Sequence, residues 1–260
     1  MANGLLEGRV YVVTGGNQGL GRGIAGYLAE SGAAGIVICG RTAASGESAA
    51  REITALGCPC EFVEADLRVE AHCRRVVERC DERFGRTDGL INAAGTTERG
   101  GIEDTTLEQW NRIFSLNVTA PFILIQEAVR VMKREKIHGS IVNIVSDTSH
   151  GGPPYLTAYS ASKAALATLT KNVANALRFD RIRVNGLNIG WTLTPNEDLV
   201  QRSMGKGAEW LRNAEAAQPF GRILRPEDSA FLVAYLLSDR AEMMTGSVID
   251  FNQVVIGTWD

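Results

Sequence analysis

The chain has 260 residues, with 27 Lys and Arg against 30 Asp and Glu, a formal net charge of −3, 45% apolar residues and 22% charged ones. That is the balance of an ordinary globular chain long enough to bury a substantial core, and it offers no basic surface to nucleic acid. No apolar run approaches the roughly 20 residues of a membrane span and no charged leader with an apolar run opens the sequence, so a cytoplasmic protein is expected.

The first β-rich run, Arg9–Thr14, ends in the glycine-rich turn Thr14-Gly15-Gly16-Asn17-Gln18-Gly19-Leu20-Gly21. A helix follows with Leu20, Ile24 and Leu28 on one stripe. Strand, glycine-rich turn and helix N-terminus together suit a dinucleotide pyrophosphate, because backbone N–H groups reach the phosphates and the helix end adds positive potential. The spacing Gly-x-x-x-Gly-x-Gly departs from Gly-x-Gly-x-x-Gly, so the turn alone is a partial match. A second strand, Gly35–Cys39, leads to Gly40-Arg41-Thr42. An acid to read a ribose 2′-hydroxyl is missing there, and Arg41 stands where a 2′-phosphate would need a partner, which favours NADP over NAD.

Alternation then continues. The pattern predicts a helix over Ala44–Leu56, a strand over Cys60–Glu64, a helix over Val69–Phe84 and a strand over Asp88–Ile91. A long helix is expected from Leu107 to Lys136, kinked near Pro121. A strand at Ser140–Val145, a helix at Ala158–Phe179 and a strand at Arg181–Leu187 follow. Residues 191–220 form a Gly- and Pro-punctuated stretch with short helices, before a helix at Pro226–Ser238 and a last strand near Ser247–Phe251. The pattern predicts one α/β domain over residues 1–260: a Rossmann-type, doubly wound parallel sheet of about seven strands with helices on both faces. The five cysteines (39, 58, 60, 73 and 80) are an odd set and read as reduced thiols. Neither Cys58-Pro59-Cys60 nor His72 beside Cys73 supplies the paired ligands of a structural zinc site, and no metal is expected.

Within the predicted helix 158–179, Tyr159 and Lys163 are one turn apart on one face. An ammonium at that spacing favours the phenolate, so the tyrosine is expected to exchange a proton at ordinary pH.

Taken together, these motifs resemble the short-chain dehydrogenase/reductase family, in its single-domain branch of about 250 residues. The likeness spans nearly the whole chain: the Thr14–Gly21 turn, Asp66, Asn92 to Gly95, Asn117, Ser146, Tyr159 with Lys163, and Asn185 to Thr194. It implies an NAD(P)(H)-dependent enzyme that interconverts a secondary alcohol and a carbonyl. Tyr159 would be the general acid/base, with Ser146 on the same carbonyl oxygen. Lys163 would lower the pKa of the tyrosine and hold the nicotinamide ribose, and Asn117 would anchor a water behind the lysine. Cofactor contacts would come from Gly15, Asn17, Gln18, Gly19, Leu20, Gly21 and Arg41, from Asp66 and Leu67 at the adenine, and from Asn92, Ala93, Ala94 and Gly95 at its ribose. Thr192 and Thr194 would meet the carboxamide and phosphates. Two departures stand out: Ile189-Gly190 replaces the usual Pro-Gly, and Asp250-Phe251-Asn252-Gln253 replaces a terminal Asp-Gly-Gly. The second suggests a tail that could pack on a neighbouring subunit.

The substrate pocket is expected after Ser146, before Tyr159 and across 191–220. Asp147, His150 and Trp191 are its candidate contacts, together with Asn188, Asn196 and Glu197. Their polarity suits a sugar- or polyol-like substrate better than a steroid or acyl chain. The alternatives are a less polar keto compound, or a cofactor-sensing protein without turnover. An extended-branch epimerase would need a substrate domain for which this chain has no room. The resemblance also implies a homo-oligomer, a tetramer or dimer, and the alanine-rich run Ala158, Ala161, Ala164, Ala165 and Ala167 permits close approach either to the chain's own sheet or to a partner.

Overall fold

A computed structural model describes residues 4–256. Seven strands form one parallel sheet in the order β3-β2-β1-β4-β5-β6-β7. They are β1 (Val10–Thr14), β2 (Gly35–Gly40), β3 (Cys60–Glu64), β4 (Gly89–Asn92), β5 (Ser140–Ile144), β6 (Arg183–Ile189) and β7 (Val248–Phe251). Alternation along each strand feeds two apolar layers. In β1, Val10 and Val12 face the layer completed by α3 (Glu70–Phe84), α5 (Ala120–Arg134) and α6 (Thr157–Leu177). Tyr11 and Val13 face the other layer, built with α1 (Gly19–Glu30), α2 (Ala43–Ala55) and α9 (Pro226–Leu237). Chain order reverses between β1 and β4, which opens a crevice at the carboxyl ends of those strands.

The sequence-predicted alternation is present, with shifted boundaries in two places. The expected helix over 107–136 is two helices, α4 (Leu107–Phe114) and α5, joined by a π-helical segment at Ser115–Thr119. Pro121 follows this segment directly, and because the backbone stays helical through Thr119 its missing N–H and its ring fall against carbonyls one turn back, within the π segment. The extra residue of that turn brings Asn117 into the interior. The sixth strand begins two residues later than expected, because Arg178–Asp180 continue α6 as a 3₁₀ turn and Arg181 takes a left-handed conformation that reverses the chain. Residues 191–220 contain α7 (Pro195–Ser203) and α8 (Trp210–Ala216).

Of the segment after β7, residues 252–256 are described and 257–260 lie outside the described residues. The Gln253 side chain accepts from Phe220 N–H at 2.7 Å and donates to the Arg222 carbonyl at 2.6 Å. Gly190, which follows the departing Ile189, lies beneath it: a Cβ there would sit 2.6 Å from Asn252 Cβ. On α6, Ala158 is buried with Tyr159, Ser162, Lys163, Leu166 and Thr170, while Ala161, Ala164, Ala165 and Ala167 are half-buried. Of the alanine run only Ala158 is fully covered within the chain. All five cysteines are unpaired thiols. Cys73 Sγ donates to the Leu67 carbonyl, and His72 Nδ1 accepts from Asp66 N–H, so both have structural partners.

Close packing at the middle of the sheet rests on one missing side chain. Tyr11, Gly89 and Ser140 lie side by side across three strands, and the Tyr11 ring lies over Gly89. A Cβ at 89 would sit 2.8 Å from that ring and 2.9 Å from the Ser140 carbonyl oxygen, which belongs to the backbone and cannot rotate away. Gly89→Ala is expected to destabilise the fold by about 2 kcal/mol. Urea denaturation would measure it, and a midpoint equal to wild type would contradict this packing account.

Candidate active site

A cleft of about 1000 Å³ opens at the carboxyl ends of the strands. At one end lies the glycine turn. Gly15 has φ +68° and Gly19 φ +54°, conformations that disfavour side chains, and a Cβ on Gly21 would sit 2.5 Å from the Gly15 carbonyl oxygen. Thr14 Oγ1 accepts from the N–H groups of Ala93 and Ala94, both at 3.0 Å, and so ties the end of β1 to the end of β4. Arg41 lines the cleft beyond β2, next to Thr42. The Asn17 amide donates to Ser45 at 3.0 Å. Asp66 also lines the cleft, and the Arg68 guanidinium beside it holds its carboxyl down to about 2.

At the other end are Ser146, Asp147 and Tyr159. Tyr159 is 9% exposed and Lys163 5%, one turn apart on α6. Lys163 Nζ donates to the carbonyl of Ile144, the last residue of β5, at 2.7 Å, and lies 5.7 Å from the Tyr159 ring centroid. Ser146 Oγ donates to Asp147 Oδ1 at 3.1 Å and accepts from Thr148 Oγ1 at 3.1 Å. Asn117 is tied at both ends: its oxygen accepts from Thr96 N–H at 3.0 Å, leaving one lone pair, and its amide donates to the Thr96 carbonyl and to Ser162 Oγ. Ser162 in turn donates to the Tyr159 carbonyl at 2.7 Å. A Cβ added to Gly95 would lie 3.3 Å from Asn117 Oδ1 and 3.6 Å from Lys163 Nζ, so these two side chains sit directly under a glycine of the cleft.

The structure thus brings Gly15, Asn17 to Gly21, Arg41, Asp66, Leu67, Ala93 to Gly95, Ser146, Asp147, Tyr159, Trp191, Thr192 and Thr194 to one cavity. Asn117 and Lys163 are buried beneath it. Asn92 and His150 are placed elsewhere. The Asn92 amide points within the sheet to Asn143 Oδ1 at 2.8 Å, because the two residues are register partners on β4 and β5. Asn143 carries the link on to Thr170 of α6 at 2.9 Å. His150, 41% exposed at its side chain, lies outside the cleft, held by Asp250 at 2.9 Å and Asn188 at 3.0 Å. Asn188 is committed to that pair, so it too lies off the cavity.

The expectation of an acidified phenol is not met by the protein on its own. Burial pushes the Tyr159 hydroxyl up to about 12; contact with Ser146 pulls the other way, and the carboxylates of Asp147 and Glu197 add to the rise. Burial also pushes Lys163 down to about 8. Spacing on the helix was read correctly, but desolvation outweighs it for both groups.

Arg99, Val254 and Ile256 line the cleft outside the stretches expected from the sequence, and Tyr155 and Gln201 line it from within those stretches without having been singled out. One signal was available. Thr194-Pro195-Asn196-Glu197 has the spacing of a helix start, and Thr194 Oγ1 does accept from Glu197 N–H at 3.1 Å. A helix begun there turns Gln201 to the same side as Glu197 one turn later.

A glycine-lined crevice at the switch point of a parallel sheet, with a buried Tyr and Lys one turn apart at its edge, defines a nucleotide-dependent oxidoreductase of the single-sheet type. Residues 15–253 match the family described as Enoyl-(Acyl carrier protein) reductase. The NADP-dependent (R)-specific alcohol dehydrogenase of Lentilactobacillus kefiri is 35% identical over 244 residues, 93% of this chain and 94% of that one. A short-chain type dehydrogenase/reductase from Mycobacterium marinum superposes with TM-score 0.86 at 30% identity, covering 95% of each chain. L-Sorbose reductase from Gluconobacter frateurii, solved with NADPH and L-sorbose, gives TM-score 0.92 at 28% identity, over 99% of this chain and 100% of that one. The chain belongs to the short-chain dehydrogenase/reductase family and is an NAD(P)-dependent oxidoreductase.

Lys163, charged, is costly to bury, and the sign of its effect on stability follows. Its folded pKa near 8 lies below the unfolded value, so below pH 8 both states carry the proton and the fold bears the full cost. As pH rises from about 8 toward 10.5 the folded state releases its proton first and the cost fades. Lys163→Met is expected to be more stable than wild type by on the order of 2 kcal/mol at pH 7, once the lost bond to Ile144 is counted. That gap should narrow toward pH 10. Urea unfolding of both proteins across this range measures it, and a gap independent of pH would refute the buried ammonium.

Proposed function

We propose that this enzyme uses NADP(H) to interconvert a secondary alcohol and a carbonyl on a polar, polyhydroxylated small molecule, with Tyr159 as the acid/base. The observation that carries the reading is the Tyr159–Lys163 pair, buried at the floor of the cleft beside Ser146 and Gly95. The cradle fits a dinucleotide. A Cβ at Gly21 would collide with the Gly15 backbone, and the turn lies at a helix N-terminus.

In this reading Gly15 to Gly21 hold the pyrophosphate, Asp66 and Leu67 the adenine, and Ala93 to Gly95 its ribose. Arg41 and Thr42 take the 2′-phosphate; NAD is the alternative cofactor. Lys163 and Tyr159 hold the nicotinamide ribose, and Thr192 and Thr194 its carboxamide and phosphate. When bound, the nicotinamide supplies or accepts the hydride. The Tyr159 hydroxyl gives its proton to the carbonyl oxygen in reduction and takes it back in oxidation. Ser146 Oγ turns from Asp147 to the same oxygen and steadies its developing charge. Lys163 has one N–H on Ile144 and two more to give, to the ribose and to a water anchored by Asn117. With the phenol near 12 in the chain alone, proton transfer at neutral pH depends on that lysine being charged in the loaded cleft.

Asp147, Trp191 and the 191–220 region, including Asn196 and Glu197, give the substrate end its polarity. The sugar bound by the Gluconobacter relative agrees with this. A less polar keto substrate is the second reading, favoured by Val254 and Ile256 on the same wall. The protein is read as a cytoplasmic homo-oligomer, with a second copy on the outward alanines of α6.

Two measurements test the reading. Tyr159→Phe should bind NADPH as wild type does and lose about 10²- to 10⁴-fold in turnover; turnover equal to wild type would remove the tyrosine from the chemistry. Fluorescence titration should show Arg41→Ala weakening NADPH about 10- to 100-fold and sparing NADH. Equal loss for both cofactors, or none, would return the preference to NAD.

A further inference from the structure

Around the start of α7 several polar side chains have hydrogen-bonding capacity that the proton transfer does not use. Glu197 stands at the position from which a glutamate commonly reaches back to close its helix cap. Here it does not. Its Oε1 accepts from Trp191 Nε1 at 2.8 Å and from Gln201 Nε2 at 2.5 Å. The side chain is only 15% exposed, and both hydrogen bonds it accepts fall on Oε1. With its NH₂ group fixed on a carboxylate, Gln201 must aim its carbonyl the other way, since the flipped amide would set oxygen against oxygen. That carbonyl Oε1 is buried without a donor, in a residue 2% exposed that lines the cleft. Arg99 completes the cluster. Its guanidinium lies 5.0 Å over the Tyr155 ring and 4.0 Å from Glu197 Oε1, and its Nε is buried with no acceptor.

A buried acceptor without a donor and a buried donor without an acceptor, beside a carboxylate, restrict the ligand. A carboxylate or bare carbonyl could answer Arg99 but would face Glu197 and Gln201 oxygen to oxygen. An ammonium could answer the acceptors but would meet Arg99, and Lys206, whose Nζ lies 5.9 Å from the Trp191 ring. Hydroxyl groups donate and accept at once, and they leave no buried polar atom unmatched.

We propose that Glu197, Gln201 and Arg99 form a hydroxyl-reading subsite, which takes adjacent hydroxyls of the substrate away from the carbonyl held at Ser146 and Tyr159, and that Glu197 is the residue that sets this specificity. This rests on the polar-substrate reading above and names the residues that would enforce it. A site that must satisfy buried polar groups rejects the analogue lacking their partner far more strongly than an apolar pocket rejects a size change.

The test compares kcat/KM with NADPH for a 2-ketohexose and for 2-hexanone, which keeps the ketone and removes every hydroxyl. Wild type, Glu197→Gln and Gln201→Met are measured, with NADPH titration as the check that each has folded. Wild type should prefer the ketohexose. The preference should fall about 10- to 100-fold in Glu197→Gln, mainly through KM, and in the same direction in Gln201→Met. If Glu197→Gln does not fold, Gln201→Met decides. A wild type that reduces the ketohexose, with a preference unchanged in the folded variants, overturns the subsite and leaves the substrate class standing. A wild type that turns over only 2-hexanone overturns both.

Discussion

A charged amine buried at the end of a strand is the constraint that the rest of this site answers to. Lys163 can lie there because one proton has a partner in the Ile144 carbonyl, which is free to accept at the point where β5 ends. That bond fixes the height of α6 against the sheet, and with it the height of Tyr159. The glycine at 95 matters for the same reason: a side chain there would press on the amine from above. Sheet, helix and turn are therefore positioned with respect to one nitrogen atom.

The polar interior follows from this placement. Asn92, Asn143 and Thr170 carry hydrogen bonds from the fourth strand through the fifth into α6, while Asn117, Ser162 and the Tyr159 carbonyl brace the same helix from the π-helical side. Buried amides and hydroxyls are costly unless matched, and most of these are matched to one another. The result is a rigid seat for a phenol whose own environment opposes its ionisation. Burial, with Asp147 and Glu197 nearby, holds the phenol's proton above the usual tyrosine range.

Much of this could be read from the chain. Short β-rich runs, the glycine turn and the Tyr-x-x-x-Lys spacing are local patterns, and the order of elements follows from them. What was not legible depends on contacts distant in sequence. The interruption near Pro121 was legible, but its form, one extra residue at Ser115–Thr119 that turns an asparagine inward, was not. The lysine's influence on the tyrosine was judged from spacing, and the desolvation that outweighs it comes from the surrounding fold. His150 sat in a polar run after Ser146, but its partner Asp250 is 100 residues away on the last strand, and that pairing turns it from the cleft. Gln201 carried no signal alone; only the helix beginning at Thr194 gives it a direction.

The segment that follows the last strand carries a different lesson. Gln253 bridges the backbone at 220 and 222, and Val254 and Ile256 close one wall of the cavity. Residues 252–256 lie outside the sheet. A change among them would reshape that wall without altering the strands and the helix that seat the buried amine.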